Sequence, residues 1–305
     1  MLLTGASGLV GAAFARAAAR RGHSVIGIVG GWKGGAIAGA GELRAVNLAD
    51  SAAAQAVALD VFSEAIVNAA AIAEPAACDA QPELAEKLNV ELPAVLARVA
   101  HHLSTPFVHL SSEQVFDGTR APYSSGDPVN PINLYGRQKA EAERRVLAAA
   151  PEFACVVRAP LLVGNSLVGR RSLHEKMFEA WAAGRPVQAY TDEFRQVCTA
   201  DNLAEVLLEL VERGDLRGLF HWAGAELLSR HEIARRIAGG FKLPDTLVVP
   251  MNRADTPEAA AKRPPNLAMD LAPLAGRLKT RPQRFDDALE ELIVPPPFRT
   301  WYRAQ

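Results

Sequence analysis

The chain has 305 residues, of which 49% are hydrophobic, and a formal net charge of −1. That length can form one large α/β domain, or a domain with a smaller appendage, around a sizeable core. The weak charge gives no indication of nucleic acid or a membrane surface as a partner, and no apolar run reaches the ~20 residues of a membrane span. No secretory signal precedes the first predicted strand, and the three cysteines lack metal-ligand spacing. We therefore expect a soluble, cytoplasmic protein with reduced thiols and no metal site.

The amino terminus has the pattern of a strand, a tight turn and a helix. Residues 2–4 are apolar or β-prone, and Gly5, Gly8 and Gly11 follow before an alanine-rich segment. In a dinucleotide-binding unit the first glycine allows the chain to reverse, the second lets backbone approach a diphosphate, and the third allows close helix packing. The helix N-terminus then offers free N–H groups to the anion. Glycines also mark ordinary turns, but this position between strand and helix favours dinucleotide binding.

A second strand is predicted at residues 24–29. In this type of fold an acidic residue at its end would bind the ribose hydroxyls of NAD, but here the chain continues with Gly30, Gly31, Trp32 and Lys33. No carboxylate would repel a 2′-phosphate, so NADP is favoured over NAD. Lys33 is a candidate partner of that phosphate and Trp32 a candidate cover for the adenine, although both could equally be solvated loop residues.

Strands and helices continue to alternate. Further strands are predicted at residues 42–48, 65–68, 107–110 and 156–158, and helices at residues 51–59, 82–102 and from about 132. The strand at 65–68 is followed by Ala69, Ala70 and Ala71, small residues that would allow a cofactor to lie against its carboxyl end.

Polar residues follow the strand at 107–110 and recur on the next predicted helix. Ser111 and Ser112 would lie at the carboxyl edge of the sheet, where ligands bind in such folds. Tyr135 and Lys139, four residues apart, share one helix face. The ammonium, with any positive nicotinamide nearby, would stabilise the phenolate and lower the tyrosine pKa from its free value of ~10. The pair occurs on many ordinary helices, but with the glycine turn and the strand-end serine it indicates catalysis.

The last third of the chain is predicted to hold helices at residues 172–183, 201–211 and 229–237 and a strand at residues 219–222. Met177, Phe178 and Trp181 have helical spacing and are expected in a core rather than in a cofactor site. The aromatic tail at 298–302 is expected to pack on the domain or on another subunit.

The glycine turn, the strand-end serine and the Tyr135/Lys139 pair resemble the extended short-chain dehydrogenase/reductase superfamily. Within it, the dTDP-4-dehydrorhamnose reductase branch is resembled by residues 111–118, 128–139, 194–204 and 263–266. The resemblance implies an α/β fold with a doubly wound, Rossmann-type parallel sheet. It implies an NADP-binding domain over residues 1–160 and a small C-terminal α/β substrate domain over residues 161–305. The chain is expected to cross back to the sheet around residues 187–222.

The sequence departs from that branch at two positions. The rhamnose reductases tend to carry Tyr where Gln114 stands and Trp where Leu161 stands, which leaves the sugar open. Residues 158–164 and 220–222 look more like the regulatory β subunit of methionine adenosyltransferase. That relative keeps the fold and NADP binding but acts as a partner of another enzyme.

The leading hypothesis is NADPH-dependent reduction of a keto group on a nucleotide-activated deoxysugar. Tyr135 would protonate the carbonyl oxygen, Ser112 would orient it, and Lys139 would hold the nicotinamide ribose. A non-catalytic, NADP-binding regulatory subunit is the main alternative. A sugar-nucleotide epimerase or dehydratase is less favoured, because the dehydratases pair Asp with Glu after the strand-end hydroxyl and here only Glu113 is acidic.

The candidate site residues fall into three groups. The catalytic candidates are Ser112, Tyr135 and Lys139. The cofactor candidates are Gly5, Ser7, Gly8, Leu9, Val10, Gly11, Trp32, Lys33, Asn47, Leu48, Ala69, Ala70, Ala71, Tyr135, Lys139 and Leu161. The substrate candidates are Glu113, Gln114 and two arginines that could clamp a diphosphate, Arg195 and Arg263. The expected partners are a nucleotide sugar and NADP, with NAD as the alternative cofactor and a homodimer as a candidate assembly.

Overall fold

Short apolar strands alternate with helices in the computed structural model, which describes residues 1–305. The strands are β1 (Leu2–Thr4), β2 (Ile26–Val29), β3 (Glu42–Ala45), β4 (Ile66–Asn68), β5 (Phe107–Ser112), β6 (Ala154–Ala159), β7 (Leu162–Val163), β8 (Val187–Tyr190), β9 (Phe194–Arg195), β10 (Cys198–Thr199), β11 (Gly218–His221), β12 (Leu228–Ser229) and β13 (Val248–Met251). The helices are α1 (Leu9–Arg20), α2 (Ser51–Val61), α3 (Pro75–Ala80), α4 (Pro82–Glu86), α5 (Leu92–His102), α6 (Leu134–Ala149), α7 (Leu173–Ala182), α8 (Ala200–Glu212), α9 (Arg230–Gly240), α10 (Pro257–Ala261), α11 (Ala272–Ala275), α12 (Phe285–Glu290) and α13 (Arg299–Tyr302).

Seven strands form the central sheet in the order β11-β6-β5-β4-β1-β2-β3, and every neighbouring pair is parallel. The direction of the strand order reverses between β1 and β4, so the carboxyl ends of these strands define the crevice where such sheets bind ligands. Both strands are buried throughout, as expected for parallel strands covered on both faces. The predicted Rossmann-type parallel sheet is confirmed.

Hydrophobic cores cover both faces of this sheet. One contains Phe14 of α1 and Leu207 of α8, and the other contains Leu96 of α5 and Val146 of α6. Helix α8 packs on α1, and β11 pairs with β6 at the sheet edge. The chain therefore returns to the central sheet with α8 and β11. No helix has the length and apolar composition needed to cross a membrane.

The rest of the C-terminal part forms a second core. Its small sheets pair β8 with β13, β9 with β12 and β10 with β7. Met177, Phe178 and Trp181 are buried in this core, as predicted. Phe298 is buried there too, and the Tyr302 hydroxyl donates to a backbone carbonyl at 2.9 Å. The aromatic tail therefore packs on its own domain.

The third strand is shorter than predicted. It ends at Ala45 rather than at residue 48, because the Asn47 side chain accepts a hydrogen bond from the Ala49 N–H at 3.2 Å and forms a turn. Asn47 and Leu48 consequently lie after the strand instead of within it.

The long helix predicted at residues 82–102 is continuous but not uniform. A π-helical turn, Lys87–Glu91, joins α4 to α5 just before Pro93. Proline lacks an N–H group and its ring collides with the preceding turn, so a wider turn allows the helix to continue.

Candidate active site

The glycine turn joins β1 to α1 at the carboxyl edge of the sheet. Gly5 has φ +69°, and a Cβ there would lie 2.7 Å from the Ala70 nitrogen. A Cβ on Gly11 would lie 2.1 Å from the Gly5 carbonyl oxygen, so glycine is required for α1 to pack against the turn. Helix α1 has no side-chain cap and no acidic residue in its first turn. Its free N–H groups and the bare turn therefore fit a dinucleotide diphosphate.

The remaining predicted cofactor residues of this edge surround the turn. Gly8 is the N-cap of α1, and its N–H donates to the Gly5 carbonyl oxygen at 2.8 Å. Ser7 and Leu9 are partly buried and Val10 is buried. The three partly buried alanines that follow β4 lie across the crevice from the turn: Ala69, Ala70 and Ala71.

The residues predicted to face the adenosine lie beyond β2 and β3. The Trp32 indole is partly buried, and its Nε1 donates to the Gly35 carbonyl oxygen at 3.0 Å. Lys33 is exposed and forms no ion pair. Asn47 is also exposed, whereas Leu48 is buried in the core on the α2 side of the sheet. Lys33 is thus a free cation at the end of a strand that lacks a carboxylate.

Helix α6 brings Tyr135 to the end of β5. Asn133 caps this helix, because its Oδ1 accepts a hydrogen bond from the Gly136 N–H at 2.8 Å. A Cβ on Gly136 would lie 2.1 Å from the Gln114 carbonyl oxygen, so the helix start lies directly on the turn after β5. Ser112 and Tyr135 are consequently neighbours, since the serine hydroxyl is one of the groups that shift the tyrosine pKa, and both residues are buried.

Burial dominates the acid–base properties of the Tyr135/Lys139 pair. It raises the pKa of Tyr135 above its ordinary value, and the Ser112 hydroxyl offsets this only in part. Burial also lowers the pKa of Lys139 to about 8, and Nζ donates to the Leu110 carbonyl oxygen at 2.7 Å. The predicted lowering of the tyrosine pKa is therefore wrong for the protein without a bound cofactor. Burial of the phenolate away from water raises the pKa by more than the Ser112 hydroxyl lowers it.

One polar residue of this site was not predicted from the sequence. Asn89, in the π-helical turn, accepts a hydrogen bond from the Ile72 N–H at 2.9 Å and donates to the Ile72 carbonyl oxygen at 3.1 Å. It also donates to Gln138 Oε1 at 3.0 Å. Asn89 thereby fixes the segment after Ala71 against α6. Pro93 inside a long predicted helix was the available signal, since π turns frequently mark functional sites.

A buried ion pair between Arg158 of β6 and Glu143 of α6 links this helix to the sheet. Arg158 Nε and Nη2 donate to the two oxygens of Glu143 at 2.9 and 2.7 Å, and both side chains are about 5% exposed or less. The Ser111 hydroxyl donates to the same carboxylate at 2.5 Å. Because Glu143 follows Lys139 by one helical turn, this pair fixes the part of α6 that carries Lys139 to the sheet.

We expect Glu143→Gln to lower the free energy of unfolding by about 3 kcal/mol, because it leaves the Arg158 guanidinium buried without its counter-ion. Urea unfolding measures the change. Arg144→Ala, which removes an exposed partner of Glu141 on the same helix, is the matched control and should leave the midpoint unchanged. Equal midpoints for the two variants would contradict the structural role of the buried pair.

Three of the four predicted substrate residues belong to a cluster of charges that is largely buried, with only Arg263 substantially exposed. Arg195 Nε lies 3.1 Å from Glu113 Oε1, with side chains 3% and 2% exposed. Glu193 accepts hydrogen bonds from Arg263 at 2.7 and 2.9 Å and lies 3.1 Å from Arg195 Nη2. Arg230 completes the cluster, 3.8 Å from Glu193. Glu193 and Arg230 were not predicted, because only the fold brings these segments together.

Glu113 connects this cluster to Ser112, the preceding residue and a catalytic candidate. Burial raises its pKa to about 7, and its Oε2 has no hydrogen-bond partner. Its neighbour Gln114 accepts a hydrogen bond from Asn133 Nδ2 at 2.9 Å. The cluster and the Ser112/Tyr135 pair are therefore parts of one site.

A cavity of about 200 Å³ opens beside the charge cluster. Its polar wall contains Arg230 and Arg263, whose guanidinium lies 5.3 Å from the centre of the Tyr190 ring. The rest of the wall is mainly apolar and comprises Leu173, Met177, Val187, Gln188, Ala189 and Ala234. Leu161 is partly buried against the same second core. One aromatic ring and two guanidinium groups in one cavity suit a planar, anionic ligand.

The sequence of this chain is similar to those of two kinds of known protein. The chain is 33% identical to methionine adenosyltransferase 2 subunit beta of Xenopus laevis, over 90% of this chain and 80% of that protein. It is 29% identical to a Haloferax volcanii protein named "Probable low-salt glycan biosynthesis reductase Agl14", over 95% of this chain and 96% of that protein.

Solved structures of dTDP-4-dehydrorhamnose reductases have a fold similar to that of this chain. A hypothetical dTDP-4-dehydrorhamnose reductase from Sulfolobus tokodaii has a TM-score of 0.81 and 28% identity, covering 96% of this chain and 99% of that one. The dTDP-4-dehydrorhamnose reductase of Bacillus anthracis, solved with NADP, has a TM-score of 0.80 and 19% identity, covering 95% and 96%, and shows the same fold. Residues 1–295 match the family model described as RmlD substrate binding domain, and the chain therefore belongs to that family.

Proposed function

We propose that this protein is an NADPH-dependent reductase of a keto group on a nucleotide-activated deoxysugar. The observation that carries this proposal is the buried Ser112/Tyr135 pair at the carboxyl end of β5, beside a glycine turn that accepts a diphosphate. The likeness to reductases that act on a nucleotide-linked sugar supports the substrate class.

We propose that the glycine turn holds the cofactor and that Lys33 binds its 2′-phosphate. The absence of a carboxylate after β2 and the free ammonium of Lys33 favour NADP over NAD. The same fold holds NADP in the Bacillus anthracis reductase. When bound, NADPH would supply the hydride for the carbonyl carbon.

The chain's own residues would position the carbonyl group and protonate it. Ser112 would donate a hydrogen bond to the carbonyl oxygen, and Tyr135 would transfer its phenolic proton to that oxygen. The raised pKa of Tyr135 keeps the phenol protonated at neutral pH, as a proton donor requires. The Lys139 ammonium, held on the Leu110 carbonyl oxygen, would bind the nicotinamide ribose and stabilise the tyrosinate that remains.

The pH dependence of reduction should report on Lys139. Its pKa is about 8, so the amine is cationic below that pH and neutral above it. We therefore expect kcat to fall as the pH rises through about 8, because the tyrosinate loses the adjacent positive charge. Stopped-flow NADPH oxidation across this range measures the effect. A constant kcat across the same range would contradict this role of Lys139.

We propose that residues 161–305 supply the substrate site. Tyr190, Arg230 and Arg263 line its cavity, and Glu113 and Gln114 extend the site to the reacting carbonyl. The guanidinium groups would bind the diphosphate of a nucleotide sugar, and the apolar wall would bind its base. Arg195, which is ion-paired to Glu113, would position the cluster.

A regulatory role is the alternative that one observation favours. The 33% identity to a methionine adenosyltransferase subunit extends over 90% of the chain. A regulatory subunit would retain the glycine turn, Tyr135 and Lys139 to bind the dinucleotide without turnover. The two functions then differ only in whether a carbonyl substrate is reduced.

The discriminating experiment follows NADPH absorbance with a panel of 4-keto-deoxysugar nucleotides. Turnover with any of them supports the reductase. A lack of turnover with all of them, together with co-purification of a methionine adenosyltransferase, supports the regulatory subunit. NADH is compared in the same assay, and a preference for NADH would contradict the proposed role of Lys33.

A further inference from the structure

The loop between β7 and α7 crosses from the second core to the glycine turn. Arg171 in this loop donates a hydrogen bond from Nη1 to the Ser7 carbonyl oxygen at 3.3 Å. Ser7 lies between Gly5 and Gly8. The Arg171 guanidinium is therefore beside the part of the turn where glycines leave the backbone without side chains. Arg171 is exposed and forms no ion pair. The C-terminal part of the chain thus holds an unpaired guanidinium, that of Arg171, at the glycine turn of the N-terminal part.

The position of Arg171 is fixed by a buried carboxylate. Glu175 is 1% exposed and accepts hydrogen bonds from the Arg171 N–H at 2.7 Å and the Ser172 N–H at 3.0 Å. It also accepts from both the N–H and the hydroxyl of Ser166, each at 2.7 Å. The backbone that carries the guanidinium is therefore ordered before any ligand binds, which reduces the entropy cost of using it.

The glycine turn itself contains no positive side chain. Residues 4–11 include neither Lys nor Arg, and the first arginine of α1, Arg16, is paired with Asp201 at 2.8 Å. A diphosphate bound on amide groups alone would keep its negative charge uncompensated apart from the helix dipole. Arg171 is placed to supply that charge, and its planar fork suits a phosphate group.

We infer that Arg171 is a ligand of the cofactor's diphosphate, contributed by the C-terminal part of the chain. This inference depends on the proposed dinucleotide function, but it assigns a contact that the glycine motif does not contain. The cofactor then bridges both parts of the protein at the mouth of the crevice.

The test measures the Kd of NADPH and of NADH for the full chain by isothermal titration calorimetry. Arg171→Ala should raise both Kd values by a common factor of about ten, because a charge-assisted contact to the shared diphosphate is lost. Arg171→Lys should be intermediate, since it keeps the charge but loses the fork. The matched control is Arg170→Ala, which removes the neighbouring guanidinium that lies over Phe298 and pairs with Glu179. Unchanged melting temperatures show that the variants are folded.

The outcomes separate this inference from the proposed function. Unchanged Kd values in Arg171→Ala, with wild-type binding intact, would overturn the inference and leave the function standing. A weakening confined to NADPH would also overturn it, because the guanidinium would then contact the 2′-phosphate. If the wild-type chain binds neither dinucleotide, the proposed function fails and the inference fails with it.

Discussion

Tyr135→Phe is expected to reduce kcat by ~10²–10⁴-fold while raising the Kd of NADPH far less, because the glycine turn and Lys139 still hold the cofactor. The substitution removes one hydroxyl from a buried site and leaves the ring in place, so the fold should be retained. The carbonyl oxygen then has no proton donor at the end of β5, because Ser112 can only orient it. Single-turnover NADPH oxidation, measured beside equilibrium binding, separates loss of chemistry from loss of binding.

Tyr302→Phe is the matched control for this result. Its hydroxyl donates to the Phe241 carbonyl oxygen in the second core and lies outside the proposed catalytic residues. Its loss should leave kcat unchanged. If Tyr135→Phe retained wild-type kcat with a productive sugar substrate, Tyr135 would not be the proton donor.

Gly11→Ala should lower the free energy of unfolding by about 3 kcal/mol and abolish NADPH binding. The new Cβ would lie 2.1 Å from the Gly5 carbonyl oxygen, and its other close neighbours are also backbone atoms of the turn. These backbone atoms cannot move aside unless α1 shifts away from β1. Such a shift changes the shape of the glycine turn, which is the proposed diphosphate site. Chemical unfolding and NADPH titration of the same sample measure the two effects.

Gly126→Ala tests whether alanine at a glycine position is sufficient to cause that loss. Gly126 is exposed and has open space where a Cβ would lie. We expect wild-type stability and NADPH binding for this variant. Wild-type NADPH affinity in Gly11→Ala would show that the close contact between α1 and the turn is not needed for the cofactor.

The predictable features of this protein are local in sequence. The glycine turn, the sheet strands and the Tyr135/Lys139 spacing each depend on residues a few positions apart, and short-range geometry determines them. Two predicted elements differ from the structure because a single side chain changes the local backbone. Asn47 formed a turn that ended β3 early, and Pro93 required a π turn within a predicted regular helix.

The features that the sequence did not reveal depend on contacts between distant segments. Glu193 joins arginines from three parts of the chain, and Asn89 joins the segment after β4 to α6. The contact from Arg171 to Ser7 spans 164 residues. No spacing rule marks such pairs, because only the tertiary fold brings these segments together. The direction of the tyrosine pKa shift was wrong because it depends on how deeply the fold buries Tyr135, which is 7% exposed.

Hydride transfer from NADPH to a sugar carbonyl is the step that most directly tests the proposed reductase. The measurement uses NADPH deuterated at the transferable position, with the productive 4-keto-deoxysugar nucleotide as substrate. The predicted result is deuterium on the former carbonyl carbon with the wild-type chain, and far less labelled product in the same time with Tyr135→Phe. A product without deuterium, or no reduction of any such sugar by a chain that binds NADPH, would contradict it.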